Sequence, residues 1–174
     1  VLLAVCGLAV SAAEIRVEME TGKSPTNGAK VWKHPSGAQI VRMTAKARPA
    51  APDLKPDWTV EVDVPVAGKF LTKLQCYAAK SNNDSVFWSL NGTAEKQFGC
   101  GIQPDGKEIS LGVLYLKSGK NTFSFRTREI GFGMDYLILR PVQGKKKNAA
   151  APRSTPGDLE AAKFRYDSKQ VLAD

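Results

Sequence analysis

Apolar and polar residues alternate with a period of two along much of this chain. The run Trp58–Val64 is the clearest case, because each second residue is apolar and a polar residue stands between each pair. Alternation of this kind over roughly four to eight residues is typical of a β-strand with one buried face. We therefore expect Trp58, Val60, Val62 and Val64 to face a core, and we place Phe87 of a later strand there as well.

Seven further segments have the length and composition of strands, and turns rich in Gly, Pro and Asn, such as Asn91-Gly92, separate them. No amphipathic helix pattern interrupts the series. About eight short strands with such turns predict an all-β sandwich or barrel. The predicted strands cover residues 15–20, 39–44, 58–64, 69–79, 86–90, 109–116, 122–128 and 134–139.

The two ends of the chain differ in composition from its centre. Residues 1–13 are small or apolar and uncharged, with Ser11 and Ala13 at the −3 and −1 positions before Glu14. This pattern is typical of the remnant of a secretory signal peptide, and a buried N-terminal strand is the alternative. Lys, Ala, Pro and Gly dominate from residue 143 to about residue 155, as in linkers. Residues 159–172 can form a short helix or open a further module. We expect a signal remnant (1–13), a β-sandwich (14–141), and a linker or tail (142–174) that can lead to another module.

Charge and cysteine content narrow the functional classes. The net charge is +8, but basic residues are scattered among acids and no nucleic-acid motif is present. We therefore interpret these basic residues as part of a solvated, mixed-charge surface, and we expect no nucleic acid partner. Cys76 and Cys100 lie in the predicted sandwich. In an exported protein they favour a disulfide, with two free buried thiols as the alternative.

An acidic residue interrupts the last predicted strand. Asp135 follows Met134 and precedes the apolar run that ends at Leu139. A carboxylate buried without a partner costs several kcal/mol. Asp135 therefore requires a cation, a cluster of hydrogen-bond donors, or solvent.

Six local patterns follow one another in a recognisable order. They are the paired acids Glu18 and Glu20, the strand led by Trp58, and the phrases VPVAGKF (64–70), DSVFWSLNG (84–92), LKSGKNTF (116–123) and MDYLIL (134–139). In this order the chain resembles the galactose-binding-like jelly rolls, and among them the family 6 and family 35 carbohydrate-binding modules. The resemblance covers about residues 15–141. It implies a jelly-roll β-sandwich that binds carbohydrate.

The resemblance also implies a structural Ca²⁺ that ties the first strand to the last. The matching ligands are Glu18, Glu20 and Asp135. Calcium accepts six to eight oxygen ligands in flexible geometry, and carboxylates two residues apart on a strand project from one face. The alternatives are solvent-facing glutamates and an Asp135 held by a loop or by Arg128. Zinc is not expected, because His34 is the single histidine.

In this fold class the sugar site often lies in the loops at one end of the sandwich. Sugar recognition needs a flat aromatic side chain together with polar groups for the hydroxyls. Each candidate also has a structural alternative. Trp32 can be a lid over the core, Asn82 and Asn83 can serve the turn, and Arg128 with Glu129 can form a local ion network. The candidate ligand residues are Trp32, Asn82, Asn83, Arg128, Glu129 and Phe132.

Residues for catalysis are not evident in the sequence. His34 has no obvious nucleophile or orienting acid beside it, and Glu18 and Glu20 are neighbours rather than carboxylates separated across a cleft. We therefore expect no enzymatic activity. The predicted function is noncatalytic carbohydrate binding by a secreted, periplasmic or cell-surface protein that targets a catalytic module, of its own or another chain, to polysaccharide, with no membrane insertion after signal cleavage. The alternative is a structural or protein-interaction β-sandwich of the cell envelope or matrix, for which an aromatic-free loop end would be the mark.

Overall fold

The structure is a computed structural model that describes residues 13–48 and 54–142. The predicted signal remnant and tail therefore lie outside the described residues, apart from their boundary positions Ala13 and Val142. Within the described ranges, no helix is long and apolar enough to cross a membrane.

The described residues form ten strands and one short 3₁₀ turn, Met19–Thr21. Eight strands correspond to the predicted ones, with some ends shifted. The other two, β2 and β7, are short edge strands that the sequence pattern did not indicate. The strands are β1 (Ile15–Glu18), β2 (Ala29–Lys33), β3 (Gln39–Met43), β4 (Trp58–Val64), β5 (Gly68–Ala78), β6 (Ser85–Leu90), β7 (Lys96–Gly99), β8 (Gln103–Leu116), β9 (Gly119–Thr127) and β10 (Gly133–Pro141).

The strands form two antiparallel sheets, which confirms the predicted all-β sandwich. One sheet has the order β2-β3-β10-β5-β8, and β1 also pairs with β10. The other has the order β4-β9-β6-β7. Gly133 and Met134 of β10 pair with β3, whereas Tyr136 to Leu139 pair with β1. The first and last strands of the fold are therefore direct neighbours.

The core lies between the sheets and follows the alternation in the sequence. The four apolar residues of β4 are buried, and so are Phe123 and Phe125 of β9. In β6 the prediction for Phe87 was wrong. Trp88 is 4% exposed in the core, while the Phe87 ring lies on the outer face, 4.4 Å from the Arg126 guanidinium. Trp88 pairs with Phe125 across the strands, and directly paired residues share one face of a sheet.

The first strand is shorter than predicted. It ends at Glu18, because the chain turns into the 3₁₀ segment at Met19. The indole Nε1 of Trp58 donates a hydrogen bond to the Met19 carbonyl over 2.9 Å, and Met19 itself is fully buried. Glu18 and Glu20 are thus related by a tight turn rather than by strand alternation.

Candidate functional site

The hairpin of β2 and β3 carries an aromatic side chain to the surface. Trp32 pairs with Ile40 in this hairpin, and its side chain remains 42% exposed. The ring of His34 meets the indole edge to face, with 5.8 Å between ring centroids. The guanidinium of Arg42 lies 5.4 Å from the centroid of the indole ring. Trp32 is therefore a supported surface aromatic and not a lid over the core.

Beside this indole lies a cavity of about 230 Å³, which we call the Trp32 cavity. It is smaller than the roughly 300–1,000 Å³ typical of sites for drug-sized ligands, and this volume suits a single ring-sized ligand. Its walls come from the β2–β3 hairpin, the end of β5, the start of β8 and two loops. The lining residues are Trp32, His34, Pro35, Ile40, Arg42, Tyr77, Ala78, Ala79, Asn83, Pro104 and Gly131.

The lack of a Cβ at Gly131 allows two polar side chains to lie close to this cavity. Its φ of +97° is in the region that favours glycine. A Cβ at this position would lie 3.2 Å from Asn83 Nδ2 and 3.4 Å from Arg42 Nη2. Asn83 Oδ1 accepts a hydrogen bond from the Lys80 backbone N–H over 2.9 Å, so its Nδ2 is the group left for a ligand.

Arg42 is the main charged group in the cavity wall. Among the described residues, no carboxylate lies within ion-pair distance of its guanidinium. The described lining of the Trp32 cavity likewise contains no Asp or Glu. A guanidinium offers five N–H donors, and here its described neighbours leave those donors available to a ligand.

A second cavity of about 280 Å³ lies on another side of the same indole, between Lys30, Thr44 and Ile130. Trp32 and Arg42 line both cavities. Two neighbouring depressions therefore share Trp32 and Arg42 in their walls.

The other predicted ligand residues divide into two groups. Asn82, Arg128 and Glu129 line a separate, open depression of about 390 Å³ that also includes Lys46. Arg128 donates to Ser85 Oγ and, over 2.8 Å, to Glu129 Oε1. The structure therefore brings Trp32 and Asn83 together and places Asn82, Arg128 and Glu129 in a neighbouring surface.

Glu129 mainly organises its loop. Its Oε2 accepts hydrogen bonds from the Asp84 backbone N–H at 2.9 Å and from Ser85 Oγ at 2.7 Å. Burial by itself would raise the pKa of Glu129, but these hydrogen bonds and the Arg128 charge outweigh burial and lower that pKa. The Glu129 carboxylate therefore already makes its hydrogen bonds within the protein.

The prediction that Phe132 contacts a ligand was wrong. Its side chain is fully buried, and its ring packs edge to face on Phe98 at 6.3 Å. The backbone carbonyl of Phe132 accepts a hydrogen bond from the Met43 N–H over 2.9 Å. The two flanking glycines suggested an exposed loop, but here the loop turns its aromatic side chain into the core.

Sequence reasoning missed His34, Arg42 and Tyr77 as cavity residues. His34 lies two residues after the exposed Trp32, which was a usable local signal. Arg42 and Tyr77 lie on β3 and β5, and they approach Trp32 only because of the order of the strands in the sheet.

The three predicted metal ligands do come together, and we call them the acidic cluster. Oxygens of Glu18, Glu20 and Asp135 all lie within 4.8 Å of one another. The pairing of Glu18 with Tyr136 brings the end of β1 beside Asp135. The register of β10 against β5 shifts between Met134 and Leu137, where Asp135 lies.

The acidic cluster fits a cation on two grounds. The Oε2 atom of Glu20 is buried and has no hydrogen-bond partner among the described residues. Burial, followed by the negative charge of Glu18, raises the pKa of Asp135. Arg16 Nε lies 2.6 Å from Glu18 Oε1 and offsets part of the negative charge of the cluster. Oxygen ligands with excess negative charge are the donor set that Ca²⁺ prefers.

The two cysteines of the sandwich are adjacent buried thiols and not a disulfide in this structure. A hydrogen bond to the Cys100 sulfur, with burial, raises the pKa of Cys76, and the same hydrogen bond lowers the pKa of Cys100. Of the two interpretations left open by the sequence, the structure has the free thiols.

Comparisons with known proteins bear on the fold. No family model matches the sequence, and no curated protein matches it significantly. Solved structures do match. A β-(1,4)-mannanase from Podospora anserina, with a GH26 and a CBM35 part, gives a TM-score of 0.63 at 15% identity over 79% of this chain. This chain covers 29% of that mannanase.

Two isolated carbohydrate-binding modules match over nearly their whole length. A family 35 module from Clostridium thermocellum gives a TM-score of 0.54 at 20% identity, covering 72% of this chain and 98% of that one. The C-terminal family 6 module of a marine laminarinase from Zobellia galactanivorans gives 0.51 at 11% identity, covering 74% and 99%. The chain therefore has the jelly-roll β-sandwich fold of the family 35 and family 6 carbohydrate-binding modules.

Proposed function

We propose that this protein binds carbohydrate noncatalytically at the Trp32 cavity. The observation that carries this proposal is the half-exposed indole of Trp32, which stands beside a cavity with polar groups and no acid in its wall. Pyranose rings present apolar C–H faces that pack on flat aromatic rings, while their hydroxyls need hydrogen-bond partners. Asn83 Nδ2 and the Arg42 guanidinium supply donors in the wall of this cavity.

The polar groups favour binding without chemistry. Glycoside hydrolysis commonly uses two carboxyl groups, about 5–9.5 Å apart, on either side of the scissile bond. Within residues 13–48 and 54–142, no carboxylate lines the Trp32 cavity, and His34 Nδ1, 2.8 Å from Ser36 Oγ, has no acid there to orient it. This lining favours the proposal of noncatalytic recognition.

The role that follows is targeting, in an exported protein. In the Podospora anserina mannanase a CBM35 part shares a chain with a GH26 part. A binding module joined to an enzyme raises the local concentration of that enzyme at its polysaccharide. We propose the same role here, with the catalytic module on this or another chain.

We also infer that the acidic cluster holds a Ca²⁺ ion. When bound, the ion neutralises three converging carboxylates and links β1 and the 3₁₀ turn to β10. The buried, unpartnered Oε2 of Glu20 supports this proposal. The proposed role is structural.

Replacing Trp32 with alanine should weaken glycan binding by about 2 kcal/mol, or roughly 30-fold in Kd, because aromatic anchors dominate binding energy at such sites. The glycan is first identified on an array, and its Kd is then measured by titration calorimetry for the wild-type protein and for Trp32→Ala. Trp32→Phe keeps an aromatic surface and should recover part of the affinity.

The matched control is Tyr115→Ala, which removes an aromatic residue that is 66% exposed on β8 and does not line the Trp32 cavity. It should bind as the wild type does. Equal loss in both variants would argue against this site. Silence of the folded wild-type protein on a broad array would instead favour a structural or protein-interaction sandwich.

A further inference from the structure

Tyr77 takes part in both candidate sites. Its hydroxyl donates a hydrogen bond to Asp135 Oδ2 of the acidic cluster over 3.3 Å. Its ring lines the Trp32 cavity and packs on the His34 ring, with 4.5 Å between centroids. One buried side chain, 8% exposed, therefore touches a proposed metal ligand and the wall of the proposed sugar site.

The Tyr77 ring has little room to move independently of these contacts. Gly106 has a φ of +82°, and a Cβ on it would lie 2.4 Å from Tyr77 Cε1 and 2.6 Å from Cζ. The backbone of β8 thus packs directly against the ring, while His34 contacts it at the cavity. Close-packed interiors transmit displacement rather than absorb it.

The contacts continue from Tyr77 to the exposed indole. His34 packs on Tyr77 and meets Trp32 edge to face at 5.8 Å. Three aromatic rings therefore connect the carboxylate of Asp135 with the surface that we propose for the sugar ring. Such a contiguous series of packed side chains is a physical route for coupling between sites.

We propose that Tyr77 couples cation binding at the acidic cluster to the arrangement of His34 and Trp32 in the cavity wall. A bound cation would replace the repulsion among these three carboxylates, whose oxygens lie within 4.8 Å of one another, with attraction to one point and so would change the position of the Asp135 carboxylate. The hydroxyl of Tyr77 follows its acceptor, and the ring carries the change to His34. This inference rests on the proposed Ca²⁺ site, and its effect on affinity rests on the proposed function.

Coupling between two binding sites is reciprocal. If Ca²⁺ strengthens glycan binding, the glycan strengthens Ca²⁺ binding by the same factor, and typical couplings are about 5- to 150-fold. Tyr77 acts as a positioning residue in this proposal, because its hydroxyl bonds the acid while its ring shapes the cavity.

The chain provides a direct reporter, because His34 is its single histidine. The ring protons of His34 are followed by NMR at fixed pH while CaCl₂ is added to the full chain. In parallel, thermal melting reports whether Ca²⁺ binds. We expect a saturable shift of the His34 signals with the same Ca²⁺ midpoint as the thermal stabilisation.

Tyr77→Phe keeps the ring and removes the hydroxyl, so it should still be stabilised by Ca²⁺ but lose most of the His34 shift. The matched control is Tyr136→Phe. Tyr136 follows Asp135 in sequence, but its hydroxyl donates to Glu108 Oε1 at 3.1 Å. This control should keep the full His34 response.

Stabilisation by Ca²⁺ without a His34 shift, or the same shift in Tyr77→Phe as in the wild type, would overturn the coupling. Absence of any stabilisation would overturn it together with the metal site. Because neither readout uses a sugar, failure of the glycan array leaves this result independent. Where a glycan is known, its Kd in CaCl₂ and in EDTA should differ in the wild type and converge in Tyr77→Phe.

Discussion

Replacing Asp57 with alanine is expected to lower the free energy of unfolding by about 3 kcal/mol, the lower end of the range for breaking a buried ion pair, because the side chain of its partner Arg48 is 33% exposed. Asp57 is fully buried. Its Oδ1 accepts hydrogen bonds from Thr26 Oγ1 and from Arg48 Nη2, each at a distance of 2.5 Å. Its Oδ2 accepts the Thr127 backbone N–H at 2.8 Å.

This carboxylate joins segments that are distant in sequence. It ties the loop before β2 and the segment after β3 to the end of β9. Gly28 leaves the space for it, because a Cβ on Gly28 would lie 2.2 Å from Asp57 Oδ1. Alanine at position 57 would leave the buried Thr127 N–H without its acceptor and Arg48 without its charge partner.

The measurement is urea unfolding of the wild type, Asp57→Ala and Asp63→Ala. Asp63 is exposed on the adjacent strand β4, so its replacement should change the free energy of unfolding by less than about 0.5 kcal/mol. Comparable stability of all three proteins would show that the Asp57 network contributes little.

Asp57 should also make stability depend on pH. Burial alone would raise its pKa, but the hydrogen bonds from Thr26 and Thr127 and the Arg48 charge outweigh burial, so the pKa lies below its ordinary value. A carboxyl group with a lowered folded-state pKa stabilises the fold above its unfolded-state pKa, about 3.9. That contribution is lost as pH falls through the folded-state value. The wild type should therefore approach the stability of Asp57→Asn below this pH and exceed it at neutral pH.

Removing calcium with EDTA is expected to lower the melting temperature by about 10 °C. A ligand present at 100 times its Kd stabilises the native state by about 2.7 kcal/mol. For a domain of this size, 1 kcal/mol corresponds to roughly 3–6 °C in Tm. The physical reason is the repulsion among Glu18, Glu20 and Asp135, whose oxygens lie within 4.8 Å of one another.

Calorimetry in CaCl₂, MgCl₂ and EDTA tests this prediction. Calcium should stabilise more than magnesium, because Mg²⁺ demands stricter octahedral geometry and retains its waters. Asp135→Asn should abolish the difference between CaCl₂ and EDTA, whereas Asp63→Asn should preserve it. Identical melting curves of the wild type in CaCl₂ and EDTA would rule out the site.

The elements that the sequence predicted well are those whose signal is local. Trp58–Val64 alternates strictly, and its apolar residues are buried as predicted. The strands β2 and β7 lacked this signal, because each is a short edge strand. In Ala29–Lys33 a single residue is buried, and in Lys96–Gly99 again one. Such strands exist through hydrogen bonds to a neighbouring strand and not through their own pattern.

The part of the candidate site that could be predicted is the part where a residue type is costly without a specific neighbour. A carboxylate in an apolar strand requires a compensating group, and the Tyr77 hydroxyl donates one hydrogen bond to Asp135. Glu18 and Glu20 also lie beside Asp135, as the family resemblance implied. The Trp32 cavity was predictable only in part. The side chain of Phe132 is buried because the loop between β9 and β10 completes the core. Its burial depends on packing against Phe98, which lies far from it in sequence.

The sequence by itself determined the all-β class and most of the strands, because period-two burial acts on residues near in sequence. The grouping of Glu18 and Glu20 with Asp135 was expected from the family resemblance, and in the structure it depends on the pairing of β1 with β10. The tertiary structure alone decided which side chains share the Trp32 cavity. Arg42, Tyr77 and Asn83 reach Trp32 from β3, β5 and a loop. Their meeting depends on strand order and register, which are set by packing of the whole sandwich between residues far apart in the chain.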